Sequence, residues 1–166
     1  MSVIKIIILG LGNPILGDDG VGWRIVDEVR RCLSLTSHCK SMIDMETLAV
    51  GGLSLMEHLI DYDIAILIDA VQTGNKKIGE VFSFLLEELP GTYNGHTGSV
   101  HDTNLLTAVE MGRNMGFKLP NQIIIVGIEA EKVYDFSEQL SPSMKNAVPI
   151  AAHMVLELIQ NLEAAP

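Results

Sequence analysis

The sequence has few cysteines, few aromatic residues and few basic residues, and these shortages exclude several classes of protein. Its 166 residues include only 2 cysteines, too few for a small disulfide-stabilised fold. Six residues separate Cys32 from Cys39, a spacing that fits no common zinc motif. We therefore expect two reduced thiols and a cytoplasmic protein.

The shortage of basic residues bears on the partners of the protein. There are 11 Lys and Arg residues against 21 Asp and Glu, which gives a net charge of −10. A field of that sign repels nucleic acid and anionic membranes, and it attracts a basic protein segment. No apolar run reaches the ~20 residues of a membrane-spanning helix. We expect the apolar stretch MSVIKIIILG to form a strand, not a signal peptide.

Two common hydrolase motifs are also absent from the sequence. The stretch GGLSL has the wrong spacing for the G-x-S-x-G turn of serine hydrolases. Glu57 and His58 stand in the reverse order of the zinc motif H-E-x-x-H. Cys32 falls on the apolar face of a predicted helix, which is a poor place for a nucleophile.

Apolar runs that alternate with helical patterns indicate the fold. Residues 3–9, 64–70 and 122–128 are continuous apolar runs, typical of strands buried on both faces. A shorter strand is expected to end at Asp44, and residues 79–89 suggest an edge strand whose pairing could be antiparallel. The prediction is a single domain over residues 1–166, a three-layer α/β/α sandwich with a mostly parallel twisted sheet of about five strands.

The stretch GLGNPILGDDG, residues 10–20, raises the question of function. Gly10 and Gly12 fit the first two positions of the dinucleotide fingerprint G-x-G-x-x-G, but Ile15 occupies the third. The adjacent carboxylates of Asp18 and Asp19 would repel a pyrophosphate. The first five letters are similar to the opening of peptidyl-tRNA hydrolases, but Ile15 stands where that family has glycine, and the acidic charge disfavours tRNA.

Three polar residues are expected at one edge of the sheet. Asp19 follows the first strand, Asp69 ends the strand IAILID, and His101 lies near the start of a helix. Ligands of parallel α/β sheets bind outside the carboxyl ends of the strands. Two carboxylates and an imidazole there would suit a divalent metal. A capping box from Ser99 to Asp102 would place His101 in the first helical turn.

Five motifs in the same order resemble the nickel-iron hydrogenase maturation endopeptidases, over nearly the whole chain. They are GLGNPILGDDGVG after the first strand, IDA (68–70), GSVHDTNLL (98–106), VGIE (126–129) and LSPSMKNAVP (140–149). The resemblance implies an endopeptidase that removes a C-terminal extension from the precursor of a nickel-iron hydrogenase large subunit, after nickel has been inserted. We expect this protein to be a monomer or weak oligomer.

The resemblance also implies roles for single residues. Asp19, Asp69 and His101 bind metal and are catalytic. The metal is nickel carried by the substrate, with another divalent metal in the same site as the alternative. A second role of the metal as a Lewis acid stays open.

The resemblance further makes Gly12, Asn13 and Asp44 substrate-binding residues. Asp44 would contact the basic residue that precedes the cut.

Structural interpretations stand beside these functional ones. Asp18 is expected to be a turn residue that bonds its own backbone, with support of the site as the alternative. Asp19 would equally serve as a helix N-cap. Asp44 and Glu129 would equally be solvated loop acids. For the whole protein, the alternatives are a non-catalytic metal-binding or maturation-scaffold protein and, more distantly, a nucleotide-binding enzyme.

Overall fold

The computed structural model describes residues 3–35, 40–88, 104–131 and 136–164. Within these ranges the strands are β1 (Lys5–Leu11), β2 (Met42–Leu48), β3 (Ile64–Val71), β4 (Val81–Leu85) and β5 (Gln122–Glu129). The helices are α1 (Val21–Leu35), α2 (Gly52–Glu57), α3 (Leu105–Asn114) and α4 (Pro142–Ala164), with 3₁₀ turns at Gly17–Gly20 and Leu86–Glu88.

The strands form one sheet in the order β2-β1-β3-β5-β4. Neighbouring strands run parallel, except that β4 is antiparallel to β5. The mostly parallel sheet predicted from the sequence is confirmed. So are the edge position and the antiparallel pairing of the strand within residues 79–89.

The position of each strand in the sheet explains its sequence pattern. β1, β3 and β5 are central and buried along almost their whole length, as their continuous apolar runs predict. β2 is an edge strand and is half-buried, so apolar and polar residues alternate along it. The expectation that β2 ends at Asp44 is wrong. Polar Asp44 and Glu46 lie within the strand, which continues to Leu48.

Helices cover both faces of the sheet and complete the predicted α/β/α sandwich. α1 packs on α4 at one face, and α2 packs on α3 at the other. Successive residues of β1 point alternately into the cores on the two faces of the sheet. Ile6 and Ile8 join the core beneath α1 and α4, whereas Ile7 and Leu9 join the core beneath α2 and α3.

The sheet order creates a switch point between β1 and β3. The chain leaves β1 through α1 and reaches β2 on one side. It then returns through α2, passes β1 and enters β3 on the other side. Right-handed crossovers in opposite directions require helices on opposite faces. The carboxyl ends of β1 and β3 flank this switch point, which is the usual place for a ligand in such sheets.

Helix α3 starts later than the sequence suggested. Its N-cap is Asn104, whose backbone is extended and whose side chain accepts a hydrogen bond from the Thr107 amide across 2.8 Å. The first turn of α3 therefore begins at Leu105, directly after this asparagine cap. His101 lies outside the described residues. The predicted capping box of Ser99 and Asp102 lies outside the described residues.

The four helices named above lie within the described ranges. None of those helices combines the length and the apolar composition needed to cross a bilayer.

Candidate functional site at the carboxyl edge of the sheet

The turn after β1 is built around Asp19. The backbone amide of Asn13 donates a hydrogen bond to Asp19 Oδ2 across 2.6 Å. Gly12 has a φ of +123°, and a Cβ at this position would overlap the main-chain oxygen of Asp19. Glycine is thus required here both by the backbone conformation and by the close approach of the acid-bearing turn.

The same turn is fixed by a distant segment of the chain, residues 136–141. Leu16 pairs with Ser137 in a parallel bridge, and the Gly17 amide donates to the Ser137 carbonyl across 2.6 Å. Asp18 Oδ1 accepts a hydrogen bond from the Ser141 amide, also across 2.6 Å, directly before α4. The Asp18 carboxylate therefore ties this turn to the start of α4, where the helix dipole favours a negative charge.

This contact overturns the interpretation of Asp18 as a residue that merely closes its own turn. The local turn contact of this kind belongs to Asn13, whose side-chain oxygen accepts the Ile15 amide across 3.2 Å.

Asp69 occupies the other side of the switch point. It lies in β3 opposite Gly127 of β5, and it follows Ile68, whose partner in β1 is Gly10. Its exposed fraction is 0%, which is rare for a carboxylate. The 3₁₀ turn that carries Asp19 contacts β3. The structure thus places Asp19, in the turn after β1, and Asp69, in the neighbouring strand β3, at the carboxyl edge of the sheet.

The third predicted ligand, His101, lies outside the described residues. Within the ranges described, no three His, Cys, Asp or Glu side chains are grouped closely enough to hold a metal ion. The three-residue metal site of Asp19, Asp69 and His101 therefore stays a prediction.

Asp44 is farther from this edge than the sequence suggested. Asp44 lies in β2 and pairs with Ile7 of β1. Ile7 is four residues before Leu11, the last residue of β1, so Asp44 lies roughly 13 Å along the strand from the carboxyl edge. Tyr62 donates its hydroxyl hydrogen bond to Asp44 Oδ2 across 2.8 Å. Burial, together with the Asp44 carboxylate, raises the pKa of Tyr62 to about 12. The premise that Asp44 ends a strand at the active edge is wrong, because the strand continues beyond it.

Glu46 is the acid that the sequence interpretation overlooked. It lies two residues nearer the carboxyl end of β2, and alternation puts its side chain on the same face as that of Asp44. Its Oε2 atom is 3.0 Å from His58 Nδ1, and both side chains are partly exposed. The signal was the alternation of polar residues in MIDMETL, which predicts a longer strand.

Glu129 supports the edge from inside the protein. Only 2% of it is exposed, so it is not a solvated loop acid. Its carboxylate accepts hydrogen bonds from the amides of Thr73 and Gly74, each across 2.9 Å, and from the Thr73 hydroxyl across 2.7 Å. Glu129 therefore anchors the loop that follows β3 and Asp69.

Comparison with known sequences identifies the relatives of this chain. The sequence profile of the family described as hydrogenase maturation protease (HycI) matches residues 37–158. Hydrogenase 2 maturation protease of Escherichia coli (strain K12) is 25% identical over 165 residues, 98% of this chain and 96% of its own. The hydrogenase expression/formation protein HupD of Thiocapsa roseopersicina is 25% identical over 155 residues, 93% of this chain and 67% of its own.

Solved structures show the same fold. The hydrogenase maturating endopeptidase HybD from E. coli superposes with a TM-score of 0.74 at 20% identity, over 95% of this chain and 93% of that one. The [NiFe] hydrogenase maturation protease HybD from Thermococcus kodakarensis gives 0.62 at 24% identity, over 94% and 99% of the two chains.

Fold and relatives together define the class of the protein as an endopeptidase. More particularly, the chain belongs to the hydrogenase maturation protease family, since the family profile covers most of its length. The resemblance inferred from the five motifs is confirmed.

Proposed function

We propose that this protein removes a C-terminal extension from the precursor of a nickel-iron hydrogenase large subunit, after nickel has been inserted. Family membership supports the protease activity and the class of substrate. The single observation that carries the rest is the position of Asp19, in the 3₁₀ turn that follows β1, and of Asp69, in β3, at the switch point of the sheet.

In this proposal nickel belongs to the substrate, and the protease recognises the precursor by this nickel. Carboxylate oxygens of Asp19 and Asp69 and an imidazole nitrogen of His101 contact the nickel of a loaded precursor. Such ligands suit divalent transition metals, so another divalent metal is the competing occupant. An empty precursor offers no such contact and is not cut.

The basic residue before the cut needs a negative partner in the protease. Asp44 was expected in that role, but its carboxylate already accepts the Tyr62 hydroxyl. Glu46 contacts His58, but it lies closer to the carboxyl edge on the same face and is more exposed than Asp44, and on that ground we assign it the first contact with the basic side chain. Asp44 then adds longer-range attraction.

Gly12 and Asn13 are proposed to meet the substrate next to Asp19. Their backbone amides are already bonded to the Leu48 carbonyl and to Asp19. Contact with the substrate therefore falls to the Asn13 side-chain NH₂ group. The predicted cytoplasmic location and the monomeric or weakly oligomeric state remain expectations from the sequence.

The test compares nickel-loaded and nickel-free precursor, followed by intact mass. We expect only loaded precursor to lose its extension, and Asp69→Asn and His101→Ala to slow the cut by more than about 100-fold. Asp61→Asn and His153→Ala, at exposed positions, are the matched controls and should cut normally.

If the protein cuts both nickel-loaded and nickel-free precursor, and neither Asp69→Asn nor His101→Ala slows the cut, the proposal that the protease recognises nickel is rejected. Binding of loaded precursor without any change in its mass would favour the maturation-scaffold alternative.

A further inference from the structure

We propose that Ile15 and Phe136 form an apolar docking pad, which holds the precursor polypeptide beside the nickel-reading site. This inference rests on the proposed function and adds to it a surface that selects the substrate. It is independent of which residues contact the metal.

Backbone pairing brings the two side chains of the docking pad together. The Ser137 amide donates to the Ile15 carbonyl across 3.0 Å, and the Gly17 amide donates to the Ser137 carbonyl. Leu16 and Ser137 are thus a parallel pair, and each is preceded by one residue of the docking pad. Paired chains lie ~4.8 Å apart. The backbones of Ile15 and Phe136 are therefore neighbours, and both residues are exposed, whereas Leu16 and Ser137 are half-buried.

Both side chains of the docking pad face solvent. Ile15 is 47% exposed and Phe136 is 84% exposed. Isolated exposed apolar residues are ordinary on protein surfaces, but a phenylalanine exposed to this degree next to a second exposed apolar residue is a typical interaction site. Aromatic side chains of this kind carry much of the energy of protein interfaces.

The docking pad is held rigidly next to Asp19. Asp18 bonds the Ser141 amide, and Arg24 of α1 donates to the Glu138 carbonyl across 3.2 Å. The first contact fixes residues 136–141 to the turn that carries Asp19, and the second fixes them to α1, which follows that turn directly. A pre-organised surface loses little conformational entropy when it binds, so its apolar area contributes more fully to affinity.

Charge around the docking pad selects the occupant. The exposed carboxylate of Glu138 follows Phe136 by two residues. Arg24 adds one positive charge at the Glu138 backbone, but the chain as a whole carries a net charge of −10. A segment with an apolar side chain next to a basic one complements this surface. The occupant is therefore the precursor polypeptide itself, at a stretch where an apolar residue stands beside the basic residue of the cut.

Phe117 provides a matched control at the other end of the sheet. It is 40% exposed and lies between α3 and β5, at the amino ends of the parallel strands. Phe117→Ser removes the same aromatic ring from the surface, but far from Asp19.

The experiment measures steady-state trimming of nickel-loaded precursor by Phe136→Ser, Ile15→Ser and Phe117→Ser. We expect Phe136→Ser to raise KM by at least about fivefold and to leave kcat within about twofold, since truncation at an interface anchor weakens binding. Ile15→Ser should act in the same direction, Phe136→Leu should restore most of the affinity, and Phe117→Ser should match the wild type. An unchanged KM in Phe136→Ser, or an equal rise in Phe117→Ser, would overturn the docking pad.

Direct binding of the precursor separates this proposal from the proposed function. If the wild type trims no precursor but Phe136→Ser alone weakens its binding, the docking pad stands and the proposed function fails. If the wild type trims nickel-loaded precursor and Phe136→Ser binds it equally well, the proposed function stands and the docking pad fails.

Discussion

The backbone amide of Asn13 is bonded to the carboxylate of Asp19 across 2.6 Å, so the acid proposed to contact nickel also closes the turn that holds it. The two roles of Asp19, structural and chemical, can be separated by substitution. Asparagine keeps an oxygen that accepts the Asn13 amide but removes the charge. Alanine removes both.

We predict that Asp19→Asn changes the free energy of unfolding by less than about 1 kcal/mol, whereas Asp19→Ala lowers it by about 1–3 kcal/mol. Both variants should lose trimming of nickel-loaded precursor. Urea denaturation and intact mass measure the two properties. Normal trimming by Asp19→Asn would show that the charge of Asp19 is not needed and that its role is structural.

Gly12 is expected to tolerate no side chain. We predict that Gly12→Ala destabilises the protein by about 3 kcal/mol or more and abolishes trimming, because a Cβ would meet the main-chain oxygen of Asp19 at an unfavourable φ. Gly116 has a φ of +88° and open space around it, so Gly116→Ala should cost only about 1–2 kcal/mol and retain activity. Equal losses in the two variants would mean that φ alone matters at Gly12.

Glu129 is predicted to stabilise the loop after β3. Glu129→Ala leaves the amides of Thr73 and Gly74 without their acceptor and should lower the free energy of unfolding by about 1–3 kcal/mol. Glu129→Gln keeps one acceptor oxygen and should lose less. Glu131→Ala, at an exposed position, should stay within about 0.5 kcal/mol of the wild type. The free energies of unfolding are compared by urea denaturation. Equal midpoints for Glu129→Ala and Glu131→Ala would contradict the prediction that Glu129 stabilises this loop.

Tyr62 makes stability depend on pH in alkaline solution. Its pKa rises from 10.0 to about 12 in the folded protein, so between these values the folded state binds more protons than the unfolded state. The free energy of unfolding should therefore fall as pH rises through this window, and the contribution is fully present only below it. Urea denaturation of Tyr62→Phe against wild type, at several alkaline pH values, should show a shallower fall in the variant. Parallel curves would show that the Tyr62 hydroxyl has no such linkage.

The positions of the central strands, and that of Asp69 in one of them, could be predicted because they depend on the local sequence. A continuous apolar run identifies a strand covered on both faces, and a charged residue inside its carboxyl end stands out against it. The predicted β2 was too short because an edge strand has no continuous apolar run. Asp44 was therefore placed at the end of the strand, although it lies within it. The alternation of polar and apolar residues predicts the full length of β2 only when Glu46 is included with Asp44.

The contacts that fix the turn of Asp19 could not be predicted from the sequence. Asp18 and Ser141 are 123 residues apart, and their hydrogen bond depends on where α4 returns to the sheet. The start of α3 was misplaced for a different reason. Several residues before Leu105 can cap a helix, and composition alone does not show that Asn104 does so.

Asp69 has no accessible surface, while Asp19 is only partly covered. Under the proposed function, a nickel-bearing loop that arrives from solvent would therefore meet the carboxylate of Asp19 before that of Asp69. Such an approach is one-sided and predicts two successive events: capture by Asp19 comes first, and engagement of the inner acid follows once the atoms that cover Asp69 have moved aside.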